Sequence, residues 1–279
     1  MTAAQPNGRR QELATRTVVG FALVGFALAI LWSGGFAFWL ITTIIGIVML
    51  GEWSNLASAD AATARRMQFT LSVPLAIMCP LAAGPQFFAL GLIAAAAVFT
   101  LVSTKRRVLA LGIIYTGLPV LALLLIRKQP DGLLFAIWAM ALVWMCDIGA
   151  FFVGRAFGGP RLAPMISPNK TWAGFIGGII AAGAFGAVLH FGWGLPLRLT
   201  LATPLLAVVA QAGDLYESWL KRQAGVKDSG TILPGHGGLM DRLDGLMPVA
   251  PIAAFLVMLP EIRNMASGLL PGWAWGLTA

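Results

Sequence analysis

The sequence predicts an all-α, polytopic transmembrane protein of about nine helices, and three observations carry that reading. Of 279 residues, 58% are hydrophobic and only 11% are charged, where a soluble domain has roughly a quarter charged. Mean hydropathy is +0.83. Apolar runs able to cross roughly 30 Å of hydrocarbon recur from Thr17 almost to the end. That leaves no stretch for a large soluble domain.

The first helix is expected over 17–32, after a polar segment carrying Arg9, Arg10 and Arg16. A second run follows almost at once, so a retained helix fits better than a cleaved signal peptide. The remaining spans are expected at 35–51, 69–83, 86–103, 108–126, 132–154, 172–191, 199–220 and 246–263. Several fall short of the ~20 residues of a straight span, which calls for tilt or partial re-entry. Three stretches between them depart from helix. Residues 51–68 read as a short polar loop, with Glu52, Asp60, Arg65 and Arg66 as solvated groups or a wall of a site. Residues 155–171 hold Gly158, Gly159, Pro160, Pro164 and Pro168, which break helix and favour turns. Residues 221–245 are rich in glycine and in charge of both signs. A shift in composition near residue 130 divides an apolar half, 1–130, from a half, 131–279, that holds nearly all the unusual polar residues.

Charge placement orients these helices. With the N-terminus inside, the inner segments hold 15 of the 19 basic residues, and the outer ones only Arg127, Lys128, Arg198 and Arg263. The positive-inside rule then places the N-terminus and the three polar loops in the cytoplasm, and the C-terminus outside. The net +8 charge sits in short clusters between apolar runs, which suits anionic lipid or substrate and argues against nucleic acid. Cys79 and Cys146 lie in apolar segments and read as small core residues. His190 is expected to be structural, Gly174, Gly177, Gly178 and Gly186 to permit close helix packing, and the ten tryptophans to be mostly interfacial anchors.

The candidate chemistry lies in acids placed within helices. Asp147 falls near the inner end of the sixth expected helix, and Asp214 and Glu217 in the inner half of the eighth. A carboxylate at mid-bilayer costs about 3 kcal/mol on insertion scales, so such groups face a cavity or a partner. Asp214, Glu217, Ser218, Lys221 and Arg222 are spaced to line one helix face. The stripe alone suits equally a metal-and-phosphate site or a solvated helix end with an internal salt bridge. The next segment favours the first reading. It supplies Lys227 and Asp228, then glycines 235, 237 and 238 around His236, then Asp241, Arg242 and Asp244. Glycines let backbone N–H groups approach an anion. Asp241 and Asp244 can aim carboxylates from one turn at a divalent ion, and Lys227 and Arg242 can bind phosphate.

The run from Ser218 to Asp244 resembles the long signature of the phosphatidate cytidylyltransferases, the CDP-diacylglycerol synthases. That pattern is Ser-x-x-Lys-Arg, four residues, Lys-Asp, then Pro-x-His-Gly-Gly-x-x-Asp-Arg-x-Asp, and every fixed position is matched. Asp147 with Ala150, Phe151, Gly154 and Arg155 resembles a second family element, and Ser167-Pro168-Asn169-Lys170-Thr171 a third. Ala173 stands where many relatives have Glu, so no role of that Glu carries over. The resemblance covers roughly residues 145–250; the first 130 match only as apolar helices.

What the resemblance implies is transfer of CMP from CTP to phosphatidic acid in the membrane, with Mg²⁺ as cofactor and a monovalent cation such as K⁺ sharing the site. The expected metal ligands are Asp214 and Asp241, then Asp244 and Asp147. The expected phosphate binders are Lys170, Lys221, Arg222, Lys227 and Arg242. Ser167, Thr171, Ser218, Gly237 and Gly238 are expected at bound substrate, and Asp228 and His236 within the catalytic loop. A homodimer in a bacterial inner membrane, its site facing the cytoplasm, completes the expectation. Two other classes compete: a secondary transporter, disfavoured because the polar residues keep to one half of the chain, and a CTP-dependent polyprenol kinase.

Overall fold

In the computed structural model, residues 20, 25–232 and 237–266 are described. The chain divides into two compact units, one of residues 1–124 with 214–244 and the other of 125–213 with 245–279. Helices dominate both. Among the described residues, six helices are long and apolar enough to span a membrane.

The first unit begins with α1, described over 25–33, and α2, Gly35–Leu56. At 1.5 Å per residue, the 22 residues of α2 extend about 33 Å, a full hydrocarbon crossing. Then come α3 (Ala61–Ile77), α4 (Phe88–Thr104) and α5 (Arg107–Lys128). Only residues 57–60 separate α2 from α3, which corrects the loop expected over 51–68. The reason is local. Asp60 caps α3, its carboxylate accepting from the backbone of Ala62 and Thr63 at 3.0 and 2.9 Å and from the Thr63 hydroxyl at 2.6 Å. On the other side, α2 continues through Glu52, Trp53 and Ser54 because all three side chains are buried. The Trp53 indole donates to the Val108 carbonyl at 2.8 Å, and the Ser54 hydroxyl bonds back to Leu50 at 2.7 Å. Arg106 ties the short connection down by donating to the carbonyls of Ala57 and Ser58.

The second unit contains α6, Gly132–Phe157, followed by an antiparallel hairpin of β1 (Arg161–Ala163) and β2 (Ser167–Thr171). The glycines and prolines of 155–171 therefore make a small two-stranded turn, an element the sequence reading did not contain. Pro168 is tolerated because each strand of a two-stranded sheet is an edge. Thr171 then caps α7 (Trp172–Trp193), its hydroxyl accepting from the Gly174 N–H at 3.1 Å. Close packing of α6 on α7 rests on the small residues the sequence singled out. A Cβ on Gly174 would fall 2.8 Å from the Ala150 carbonyl oxygen, and one on Gly178 would fall 2.8 Å from that of Cys146. Without a hydrophobic drive between helices in lipid, such backbone approach supplies the packing. His190 accepts the structural role expected of it, its Nδ1 lying 2.6 Å from the Leu195 carbonyl at the end of α7.

Helix α8, Leu197–Gln223, begins in the second unit and ends in the first. In the second unit the Trp138 indole donates to the Thr203 hydroxyl at 2.9 Å, and Gln211 donates to the Phe175 carbonyl at 3.1 Å. Past α8, the first unit closes with the short helix α9 (Met240–Leu243), and α10 (Leu246–Ala266) belongs to the second. Neither cysteine forms a disulfide, and Cys146 is fully buried.

Candidate active site

The last turns of α8 carry the acidic and basic stripe, and the structure connects it to the segment that follows. Ser218 lies beside Asp214, hydroxyl to carboxylate oxygen 3.4 Å. The Lys221 ammonium donates to Asp241 Oδ1 at 2.5 Å and sits 3.4 Å from Glu217 Oε2. Lys221 thus pins α9 to the end of α8. Glu217 is wholly buried, and the Lys221 ammonium is the cation beside it. Its electrostatic neighbours are Lys221 and the carboxyl groups of Asp241 and Asp244. An aromatic series flanks it, with Tyr115 5.9 Å from Tyr216 and Tyr216 stacked 5.9 Å from Trp219, ring centre to ring centre.

Asp241 is the node of this cluster. Its Oδ2 accepts from the backbone of Ser229 at 2.8 Å, the Ser229 hydroxyl at 3.0 Å and the Gly238 N–H at 2.8 Å. With Lys221 on Oδ1, four donors surround one carboxylate, three of them on Oδ2. Burial pushes the Asp241 carboxyl up, but the Lys221 ammonium and the Gly238 and Ser229 N–H groups outweigh it and hold it below the usual carboxylate range. Gly237 takes a φ of +81°, in the left-handed region, and a Cβ there would fall 2.9 Å from Asp241 Oδ2. This is the close backbone approach that the glycine-rich run implied, here directed at a carboxylate of the same chain.

The other expected site residues distribute as follows. Lys227, Asp228 and Arg242 are exposed, and Arg222 is exposed at the end of α8. Asp244 continues the helical turn beyond α9, so it and Asp241 do project from one turn as their spacing implied. His236 lies outside the described residues. Asp147, on α6, and Ser167, Lys170 and Thr171, on the hairpin strand β2, belong to the second unit. Thr171 is engaged there as the cap of α7.

Sequence reasoning left Glu52 as a solvated loop group or a wall of a site; it is 3% exposed and accepts the backbone N–H groups of Leu239 and Met240 at 2.8 and 2.7 Å. The available signal was its place: a lone acid at the end of an apolar run, beside Trp53.

Comparison with known proteins gives the same family from the whole chain. The cytidylyltransferase family matches over residues 14–259. A phosphatidate cytidylyltransferase of Brucella suis is 41% identical over 251 residues, covering 86% of this chain and 92% of its own length. One from Staphylococcus haemolyticus is 33% identical over 261 residues, covering 88% of this chain and 99% of its own. A third, from Rickettsia typhi, is 28% identical over 253 residues. The match is not confined to the signature loop: it takes in the apolar helices of the first half as well, and the chain belongs to the cytidylyltransferase family.

Proposed function

We propose that this multi-pass membrane protein is a phosphatidate cytidylyltransferase, which transfers CMP from CTP to phosphatidic acid and yields CDP-diacylglycerol and pyrophosphate. The observation that carries the reading is the convergence of the signature. Residues scattered from Glu217 to Asp241 form one connected polar cluster at the end of an apolar helix, through the Lys221–Asp241 pair and the four donors around Asp241. The family match and the names of the relatives support the same activity.

Both reactants are polyanions, so repulsion between them and charge on the leaving group oppose the reaction. The phosphate monoester of the lipid is a competent nucleophile near neutral pH, and positioning with charge stabilisation carries most of the catalysis. Lys227, Arg222 and Arg242 are the exposed cations beside the cluster, suited to phosphate oxygens. Lys170, with Ser167 and Asp147, is assigned on the family resemblance alone. The basic loops argue for a cytoplasmic face, where CTP is available, on the inner membrane of a bacterium.

A divalent cation suits the donor set. Glu217 offers a wholly buried carboxyl with only the Lys221 ammonium as a cation beside it, and burial of charge is costly unless it is paired. Among the described residues no three acidic, histidine or cysteine side chains form a ready cage. Mg²⁺ commonly completes its shell with water and substrate phosphate rather than an all-protein cage. We assign Asp214, Asp244 and Glu217 as the groups that would contribute oxygens to it, with Asp241 joining them if it released Lys221. When bound, the ion neutralises phosphate charge; K⁺ is the candidate second cation. The test is incorporation of label from CTP into extractable lipid by the purified protein. It should require both phosphatidic acid and Mg²⁺.

A further inference from the structure

Glu52 does something that none of the assignments above gives it. Its two carboxyl oxygens divide their work: Oε1 accepts from the Leu239 N–H at 2.8 Å, and Oε2 accepts from the Met240 N–H at 2.7 Å. The Ser229 hydroxyl stands 3.2 Å from Glu52 Oε2 and 3.0 Å from Asp241 Oδ2, between the two acids. A hydroxyl has one proton, so Ser229 can serve only one of them at full strength at a time. The loop closes on Glu52 from two sides. A Cβ on Gly230 would fall 2.6 Å from Glu52 Oε1, and one on Gly238 would fall 2.8 Å from it. These two glycines therefore bring backbone against the Glu52 carboxyl where any side chain would collide. All of its hydrogen-bond donors belong to the segment that carries Asp241, some 177 to 188 residues further along the chain.

We propose that Glu52 is a positioning residue for cytidylyl transfer. From helix α2 it fixes both ends of the glycine-rich loop, and so sets the place of Asp241 and, through it, of Lys221. It holds the loop and touches no substrate. This rests on the reading that the Ser218–Asp244 segment is the active site, and the experiment keeps the two claims apart.

Glu52→Gln retains the size of the side chain but sets an NH₂ donor against a backbone N–H donor, where the wild type offers a carboxylate oxygen. Three measurements on the purified full-length protein decide the matter: kcat and KM for CTP, the Mg²⁺ concentration for half-maximal rate, and hydrogen–deuterium exchange of the backbone. The expected result is kcat lower by ~10- to 100-fold, KM for CTP changed less than kcat, and a raised Mg²⁺ requirement. Faster exchange should be confined to residues 229–232 and 237–241, with helices α2 to α5 as protected as in the wild type. Glu52→Asp keeps the acid one methylene shorter; it should recover part of kcat and part of the protection. Wild-type kcat and loop protection in Glu52→Gln would overturn the proposal, as would loss of protection across all helices together with activity. Should Glu52→Gln fail to fold, Glu52→Asp decides alone, and wild-type values for kcat and exchange there would overturn it. If the wild type transfers no CMP, the functional reading fails instead, while exchange still reports whether Glu52 holds the loop.

Discussion

Asp241→Asn preserves the volume of the side chain and removes its charge, and the structure sets the size of the effect. The carboxylate accepts from Lys221 on one oxygen and from two backbone N–H groups and a hydroxyl on the other. An asparagine that turns its oxygen toward Ser229 and Gly238 keeps those bonds and points its NH₂ at the Lys221 ammonium. One charge-assisted bond is then lost, a loss of about 1.5–3 kcal/mol, and two donors face each other. Both side chains are largely buried, 14% exposed for Lys221 and 7% for Asp241, so water offers little compensation. About 3 kcal/mol of lost organisation at the site corresponds to a ~100-fold fall in kcat/KM. The assay is steady-state kinetics with CTP varied at saturating phosphatidic acid and Mg²⁺, alongside thermal melting to show that the protein remains folded. Asp214→Asn is expected to lose at least as much, through cation binding. An Asp241→Asn protein with wild-type kcat/KM would refute the reasoning, because the node of the cluster would then carry no function.

Four further outcomes are expected. Single cysteines at positions 66, 107, 170 and 228 should resist a membrane-impermeant maleimide applied outside intact cells, and labelling at 228 would place the site on the wrong face. Arg242→Gln should lower kcat/KM more than it weakens CTP binding, because charge on the leaving group grows in the transition state; Arg242→Lys should be poor as well, since a point charge lacks the planar fork, while His236→Gln should lose less than either. Asp60→Asn should leave activity and melting nearly unchanged because asparagine caps helices as well as aspartate, whereas Asp60→Ala should cost about 1 kcal/mol of stability. For Asp241, whose folded-state carboxyl is held below its ordinary value, the stability contribution is complete above the unfolded value of ~3.9 and disappears as pH falls through the lower folded value; melting curves taken between pH 7 and pH 5 should therefore show no step that Asp241→Asn abolishes.

The spans were legible because they follow from local patterns. Apolar length marks α5 to α8, and charge asymmetry marks the loops. The spacing of Asp241 and Asp244 foretold a shared turn, and α9 supplies it. The end of α2 was not legible, since Glu52 and its neighbours look like a polar loop until Trp53 and Ser54 are seen to be buried. Nor was the hairpin at 161–171, where prolines read only as breakers. The contact of Glu52 with Leu239 spans 187 positions, and no local pattern encodes a hydrogen bond to backbone at that distance. The same holds for Asp241: its spacing said that it could face a metal, but only the fold shows Lys221, Ser229 and Gly238 gathered on its oxygens.

The measurement that tests the central claim most directly compares two labels on the same nucleotide. The purified protein is given phosphatidic acid and Mg²⁺ with CTP labelled at either the α- or the γ-phosphate. Cytidylyl transfer breaks the bond between the α- and β-phosphates and joins the α-phosphorus to the lipid phosphate. The α label should therefore enter the lipid as CDP-diacylglycerol, and the γ label should appear in pyrophosphate in equal amount. Gamma label in lipid would reveal a CTP-dependent kinase, and no label in lipid from a folded, membrane-inserted protein would contradict the assigned reaction altogether.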